Sequence, residues 1–392
     1  MADSLERALE GVRVVALEQA VAMPFCTLML AALGAEVIKV ETPSQGDVVR
    51  GWDGVVAGLS TGFVAFNAGK RDLTVDAKHP KGRRLLRTLI ERSDVFVENF
   101  APGAAARLGL AAEELRADVP RLIYCSLSGY GQDGPYSEAK AYDLLVQGES
   151  GLLLTNGTED EPAKVGIPVT DQIAGAHAAL AIVAALRRRE RSGEGAYLDV
   201  SMLESTIYWL AYYPHHWWHG RTEPPRSGMR HQYLCPYGPF PTADGRYVNL
   251  VVASDSDWKR FCQAVDRPEW LDDPRFATVA ARREHRAQLD SLVEETTRSR
   301  PVQDWEARLQ AVGLPHGRVR SIPEVLAHPQ VRHRELVVQG DSPVGPLPLV
   351  RFPLARPEAI GVPGLGDDTD EILAELGYDA REIAQLRNER VV

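Results

Sequence analysis

In the N-terminal half of the chain, short apolar runs alternate with stretches of helical period. Residues 13–17 (RVVAL) read as a buried strand, and 36–40, 73–76, 94–98, 122–127 and 196–201 read as further strands. Residues 23–33, 81–92 and a short piece at 103–108 read as helices between them. That rhythm predicts an α/β fold built on a Rossmann-like parallel sheet. Residues 165–170 form a strand-like run, and 171–189 form an Ala-rich helix closing on three arginines. Residues 203–218 read as a long apolar helix, with Trp209, Trp217 and Trp218 in a core or a subunit interface.

The pattern changes after His219. A polar stretch with paired prolines, 221–228, reads as a linker. Residues 236–252 alternate around Asp244-Gly245, the signature of a two-residue hairpin. Helical segments follow at 256–265, 282–298 and 302–312. The expected organisation is a large domain at 1–200, a linker helix at 201–225 and a smaller α+β domain at 226–325.

Composition narrows the function. With 392 residues, 44% hydrophobic and 25% charged, the chain suits a two-domain globular protein. A net charge of −10 argues against a nucleic-acid partner but leaves room for an anionic ligand held by a local basic cluster. No apolar run approaches a membrane span and residues 1–6 are no signal peptide, so no membrane partner is expected. Cys26, Cys125, Cys235 and Cys262 are scattered without metal spacing, as expected of reduced thiols in a cytoplasmic protein. The turn after the first strand, Glu18-Gln19-Ala20-Val21-Ala22-Met23-Pro24, lacks glycine, which rejects a nicotinamide or flavin site there.

Two carboxylates stand out. Asp143 follows Lys140-Ala141-Tyr142 at the start of an apolar helix, and Asp171 stands between a strand-like run and a helix. An Asp in either place can be a helix N-cap. At the carboxyl end of a strand in an α/β sheet it can also be a nucleophile that attacks an activated acyl group. The residue types alone leave both readings open.

The chain resembles the family III CoA-transferases, the group of formyl-CoA and carnitine CoA-transferases, whose sister branch is the α-methylacyl-CoA racemases. The resemblance rests on Leu33-Gly34-Ala35-Glu36-Val37-Ile38-Lys39-Val40-Glu41, Val97-Glu98-Asn99-Phe100-Ala101-Pro102-Gly103, Ser128-Gly129-Tyr130-Gly131, Tyr142-Asp143, Asp171, and Leu365-Gly366-Asp367-Asp368-Thr369-Asp370-Glu371. They occur in that order along nearly the whole chain. The resemblance implies an intertwined, ring-like homodimer and a 326–392 segment that returns to complete the large domain. It implies CoA transfer from an acyl-CoA to a free carboxylic acid, with Asp171 as nucleophile and Asp143 and Tyr142 beside it. CoA enters as a substrate, and no metal or tightly bound cofactor is implied. CoA contacts would come from Val75, Lys78, Asn99, Phe100, Arg107 and Lys140.

The chain departs from the formyl-CoA branch in places. That branch carries Gln at the position of Val21, Arg at that of Thr42, and a run of glycines where this chain has Gly228-Met229-Arg230-His231-Gln232. Arg230 and His231 are therefore candidates for an acceptor with a second carboxylate. The racemase branch has His where this chain has Tyr142, and a phenol with a pKa of about 10 is a poor base at neutral pH. An acyl-CoA racemase and a non-catalytic CoA-binding protein are the alternatives.

Overall fold

The computed structural model describes residues 5–356 and 360–392, so residues 1–4, part of the stretch read above for a signal peptide, lie outside the described residues. The chain divides into two compact units. The first comprises Met1–Leu152, Val165–Pro214 and Gln330–Val392; the second comprises Leu153–Lys164 and His215–Pro329.

The first unit is α/β. Strands β1 (Arg13–Leu17), β2 (Glu36–Glu41), β3 (Arg71–Thr74), β4 (Val95–Glu98), β5 (Ile123–Ser128) and β6 (Ala196–Ser201) form one sheet in the order β3-β2-β1-β4-β5-β6. Every pairing is parallel. The near-continuous apolar runs follow from burial on both faces. On β1, Val14 and Ala16 enter one core, and Val15 and Leu17 enter the other. The first core is covered by α1 (Ala22–Ala32) and the long α7 (Val169–Ser192). The second is covered by α3 (Pro80–Glu91), α15 (Thr369–Leu376) and α16 (Ala380–Asn388). Between these lie α2 (Thr61–Asn67), α4 (Ala104–Arg107), α5 (Ala112–Asp118), α6 (Asp143–Glu149) and α8 (Met202–Trp209), all in the same unit. A short antiparallel pair, β10 (Val337–Gly340) and β11 (Leu347–Val350), also belongs to it.

The second unit holds the antiparallel sheet β7 (Tyr237–Pro241), β8 (Tyr247–Val251) and β9 (His316–Arg318). The β7–β8 hairpin turns at Asp244-Gly245, with Gly245 at φ 72°, a left-handed conformation that glycine adopts without a steric cost. Helices α9 (Asp255–Ala264), α10 (Val279–Glu284), α11 (Arg286–Thr297) and α12 (Val302–Ala311) bury Trp258, Phe261, Trp305 and Val293 against it. The chain then runs through α13 (Ile322–Leu326) and α14 (Pro329–His333).

Four expectations need correction. Residues 165–170 form no strand; Gly166 and Pro168 stand in the run, and α7 begins already at Val169. Asp171 therefore sits inside the first helical turn and is not the N-cap, which is Pro168. The helix expected at 203–218 is broken: it ends at Trp209, and a separate helical turn, His216–Gly220, carries Trp217 and Trp218. Of the two places expected for Trp209, Trp217 and Trp218, the core is ruled out, since all three are exposed. Finally, α7 is by length and mean hydropathy apolar enough to cross a membrane, contrary to the reading of the sequence. Half of that window is buried, and the helix packs on α1, β5 and β6, as a core helix does.

Candidate active site

The strand order reverses between β1 and β4: the chain leaves β1 into α1 on one face of the sheet and leaves β4 into α4 and α5 on the other. In open α/β sheets, ligands bind in the crevice beyond the strand ends at this point. The loop after β1 lies there, and buried charge holds it. Glu18, Lys39, Asp47 and Lys70 are all buried. Lys70 Nζ donates to Glu18 Oε1 at 2.7 Å, and Lys39 Nζ donates to Asp47 Oδ2 at 2.8 Å. Asp47 Oδ1 accepts from the N–H of Ala20 at 2.9 Å, which fixes Ala20 at φ 60°, an uncommon conformation for a residue with a Cβ. Burial pulls Lys70 down to about 8 against the attraction of Glu18, and the charge of Lys39 adds to the effect of burial. On the other side, Asn99 clamps Gln19: its Oδ1 accepts from Gln19 N–H at 3.0 Å and its Nδ2 donates to Gln19 O at 2.9 Å.

Beyond this loop opens a cavity of about 1080 Å³. Its walls come from the ends of β1 (Gln19), β2 (Thr42 to Asp47), β3 (Val75, Lys78) and β4 (Phe100, Arg107), and from Arg387 and Arg390 near the end of the chain. Four of the six expected CoA contacts, Val75, Lys78, Phe100 and Arg107, thus face one space. Asn99 does not line it but holds Gln19, which does. Lys140 is exposed and does not line it either.

Asp171 approaches the same loop from below. It is the third residue of α7, half-buried, and its carboxylate accepts a hydrogen bond from the N–H of Ala22 at the start of α1. The close packing of α7 on α1 depends on Gly175, one turn on, because a Cβ there would stand 2.4 Å from Ala22 O and 3.2 Å from Cys26 N. Burial first, and the charge of Asp143 second, push Asp171 up to about 7, against the opposing effect of the Ala22 N–H. Asp143 belongs to the N-terminal residue of α6. Its Oδ1 accepts from Thr170 N–H and Thr170 Oγ1, each at 2.9 Å, and its Oδ2 accepts from Gln147 Nε2 at 2.7 Å. It therefore caps α7 from another helix and holds the residue directly before Asp171. Gln147 is fixed in turn, its Oε1 accepting from Val165 N–H at 2.9 Å. Gly129 explains its own motif: a Cβ there would stand 2.0 Å from Ala141 Cβ, so only glycine lets the segment leading to Asp143 pass β5.

A carboxyl ionising near neutrality, bonded to a helix N-terminus and adjoining a cavity loop, is equipped for acyl chemistry. Comparison with known proteins gives the family. The model for CoA-transferase family III matches residues 9–369. The chain belongs to family III of the CoA-transferases. Its relatives include a Homo sapiens succinyl-CoA:glutarate CoA-transferase, 35% identical over 393 residues that cover 98% of this chain and 90% of the relative. A succinate–glutarate CoA-transferase from Agrobacterium fabrum is 36% identical, covering 94% of this chain and 95% of the relative. A CaiB/BaiF family protein of known structure from Brucella suis is 34% identical with a TM-score of 0.86, covering 95% of this chain and all of that one. The transferase is thus an enzyme acting on CoA thioesters and carboxylic acids.

The remaining candidates of the transferase are placed as follows. Tyr142 is the N-cap residue of α6 and keeps 73% of its surface exposed. Arg230 and His231 lie in the second unit. Arg230 Nη2 donates to Glu294 Oε1 at 2.7 Å, and its guanidinium lies 3.6 Å over the Phe240 ring. His231 Nδ1 accepts from the N–H groups of Tyr233 and Leu234, each at 3.1 Å, and the ring stacks on Tyr237. In this structure Arg230 ties its segment to α11 and β7, while the partners of His231 lie within six residues of it. Sequence reasoning missed Gly175, Gln147, Thr170, Asp47, Arg387 and Arg390. Only Gly175 carried a usable signal, since a glycine inside an Ala-rich helix costs about 1 kcal/mol and marks a close approach.

Proposed function

We propose that the transferase moves CoA through an aspartyl-CoA thioester on Asp171. The Asp171 carboxylate attacks the thioester carbonyl, the C–S bond breaks, and CoA leaves as thiolate from a mixed anhydride. The thiolate attacks the aspartyl carbonyl and releases the donor carboxylate. An acceptor carboxylate then attacks the aspartyl thioester and expels the thiolate, which takes the acceptor acyl group and frees Asp171. Each step is an acyl exchange, so charge moves between carboxylate and thiolate without a net proton. The N–H of Ala22 donates to whichever oxygen of Asp171 carries charge, as a fixed donor that needs no reorganisation. Asp143 and Thr170 position the nucleophile. Lys78, Arg107 and Phe100 hold CoA in the cavity, and Asn99 keeps the Gln19 loop open to it.

The observation that carries this reading is the carboxyl of Asp171, at the foot of the loop that borders the cavity. Incubating the protein with acyl-CoA alone should add one CoA, less water, to its mass. Borohydride should then inactivate it only after donor has been added, with the reduction mapped to Asp171. Modification of Asp143 instead overturns the assignment. The named activities of the relatives support short dicarboxylic acids such as succinate and glutarate as substrates. A panel of donor and acceptor acids, read by new acyl-CoA formed, tests that choice. We propose further that two chains form an intertwined homodimer that covers the exposed Tyr208, Trp209, Trp217 and Trp218. A reversible monomer in sedimentation at low concentration would count against it.

A further inference from the structure

Residues 387–392 contribute to the cavity wall through Arg387, Arg390 and Val392. Lys81 Nζ donates to Glu389 Oε1 at 2.7 Å, and the N–H of Asp76 donates to Val391 O at 2.7 Å. Val391 and Val392 are buried in the core beneath β3. Arg390 lies between these two anchors. Its φ of 56° is unusual for a residue with a Cβ, and while its neighbour Val391 is buried, Arg390 is exposed and lines the cavity. Among the described residues, none is hydrogen-bonded or ion-paired to the side chain of Arg390 or of Lys78, the lysine two residues after Asp76. Arg387 is already committed to Asp370 Oδ1 at 2.7 Å. Asp76, the carboxylate at this end, is turned back onto Lys78 N–H at 2.8 Å.

The sheet order sets which end of CoA lies here. The thioester must reach Asp171, which is bonded beside the loop following β1. Lys78 and Arg390 lie at the β3 edge, two strands away from β1. Arg107 lies on the opposite side, after β4. CoA carries its diphosphate in mid-molecule and its 3′-phosphate at the far, adenosine end. We propose that Arg390, together with Lys78, recognises the 3′-phosphate of the adenosine and makes the enzyme select CoA over its 3′-dephosphorylated form. This rests on the CoA-transferase reading above. A guanidinium with free donors matches a terminal dianionic phosphate in a bidentate geometry.

The test is calorimetric binding of CoA and of 3′-dephospho-CoA to the full chain. Wild type should prefer CoA by roughly 10- to 100-fold, the range of hydrogen bonds to a charged group. Arg390→Ala should lose that factor for CoA, leave dephospho-CoA affinity unchanged, and retain the wild-type urea midpoint. Arg390→Glu should weaken CoA further while still sparing dephospho-CoA. Arg107→Ala should weaken both ligands alike. Equal losses for both ligands in the Arg390 variants, or no loss, overturn the proposal. Wild type that binds CoA without regard to the 3′-phosphate sinks this inference and leaves the transferase reading standing. Wild type that binds no CoA sinks both.

Discussion

Asp171 offers a test that separates a nucleophile in a costly site from a residue that merely starts a helix. Replace it with Asn. The amide oxygen can still accept from Ala22 N–H, and the side chain keeps its volume beside Gly175, but it can no longer ionise. In the folded protein the carboxyl is raised from 3.8 to about 7 by burial and by Asp143. A group raised on folding stabilises the native state while it is protonated. That contribution is complete below about pH 3.8 and disappears as pH rises through about 7. At about 1.4 kcal/mol per pH unit, the ionised form costs the fold about 4 kcal/mol. Asp171 is only half-buried, so water screens part of this, and about 2–4 kcal/mol is the expected range. The Asn variant should therefore match wild type near pH 4 and become progressively more stable than it up to about pH 8. Urea unfolding midpoints of both proteins, measured in steps from pH 4 to pH 8.5, give the difference directly, because the carboxylates remote from residue 171 cancel between the two. The same variant should show no CoA transfer. A stability difference that is flat with pH, or that favours wild type as pH rises, refutes the reasoning about this carboxyl. Full activity in the Asn variant refutes the nucleophile.

Other perturbations address the supports. Gly175→Ala drives a methyl into Ala22 O, so it should cost about 1–3 kcal/mol in a denaturant titration and lower kcat more than it raises KM. Lys39→Met leaves Glu18 and Asp47 with one buried cation fewer and should destabilise by about 3–5 kcal/mol in the same titration. Asp143→Asn removes the charge that raises Asp171, so the pH at which transfer reaches half its maximum should move down from about 7, read in a pH–rate profile. Arg107→Ala should weaken acyl-CoA binding by about 1.5–3 kcal/mol for every donor alike, measured by calorimetry.

Much of the architecture was legible in the residues alone. Central strands buried on both faces are mostly apolar, so runs such as 14–17 and 95–97 could be read without knowing their order. The hairpin at Asp244-Gly245 was legible because its backbone conformation is a local demand on two residues. The absence of glycine after β1 speaks against a dinucleotide turn in the sequence itself, since that turn needs backbone at close range. Local signals failed where a residue's state depends on a partner far along the chain. Asp171 read by its residue type as a cap first and a nucleophile second. Its raised ionisation comes from burial by α1 and from a charge on α6, and neither neighbour is near it in sequence. Asp143 had the look of a cap for its own helix, yet it caps α7, because only the fold brings Thr170 to it. Lys39, in an apolar strand, is tolerated because Asp47 and Glu18 close on it in space. Arg390 lies more than three hundred residues from Lys78, and the Lys81–Glu389 and Asp76–Val391 anchors, with Val391 and Val392 buried, set them along the same cavity. Periodicity and turn chemistry are local properties that short stretches carry by themselves. Burial, charge pairing and the meeting of distant cations are properties of the packed sheet, and the tertiary structure decided them.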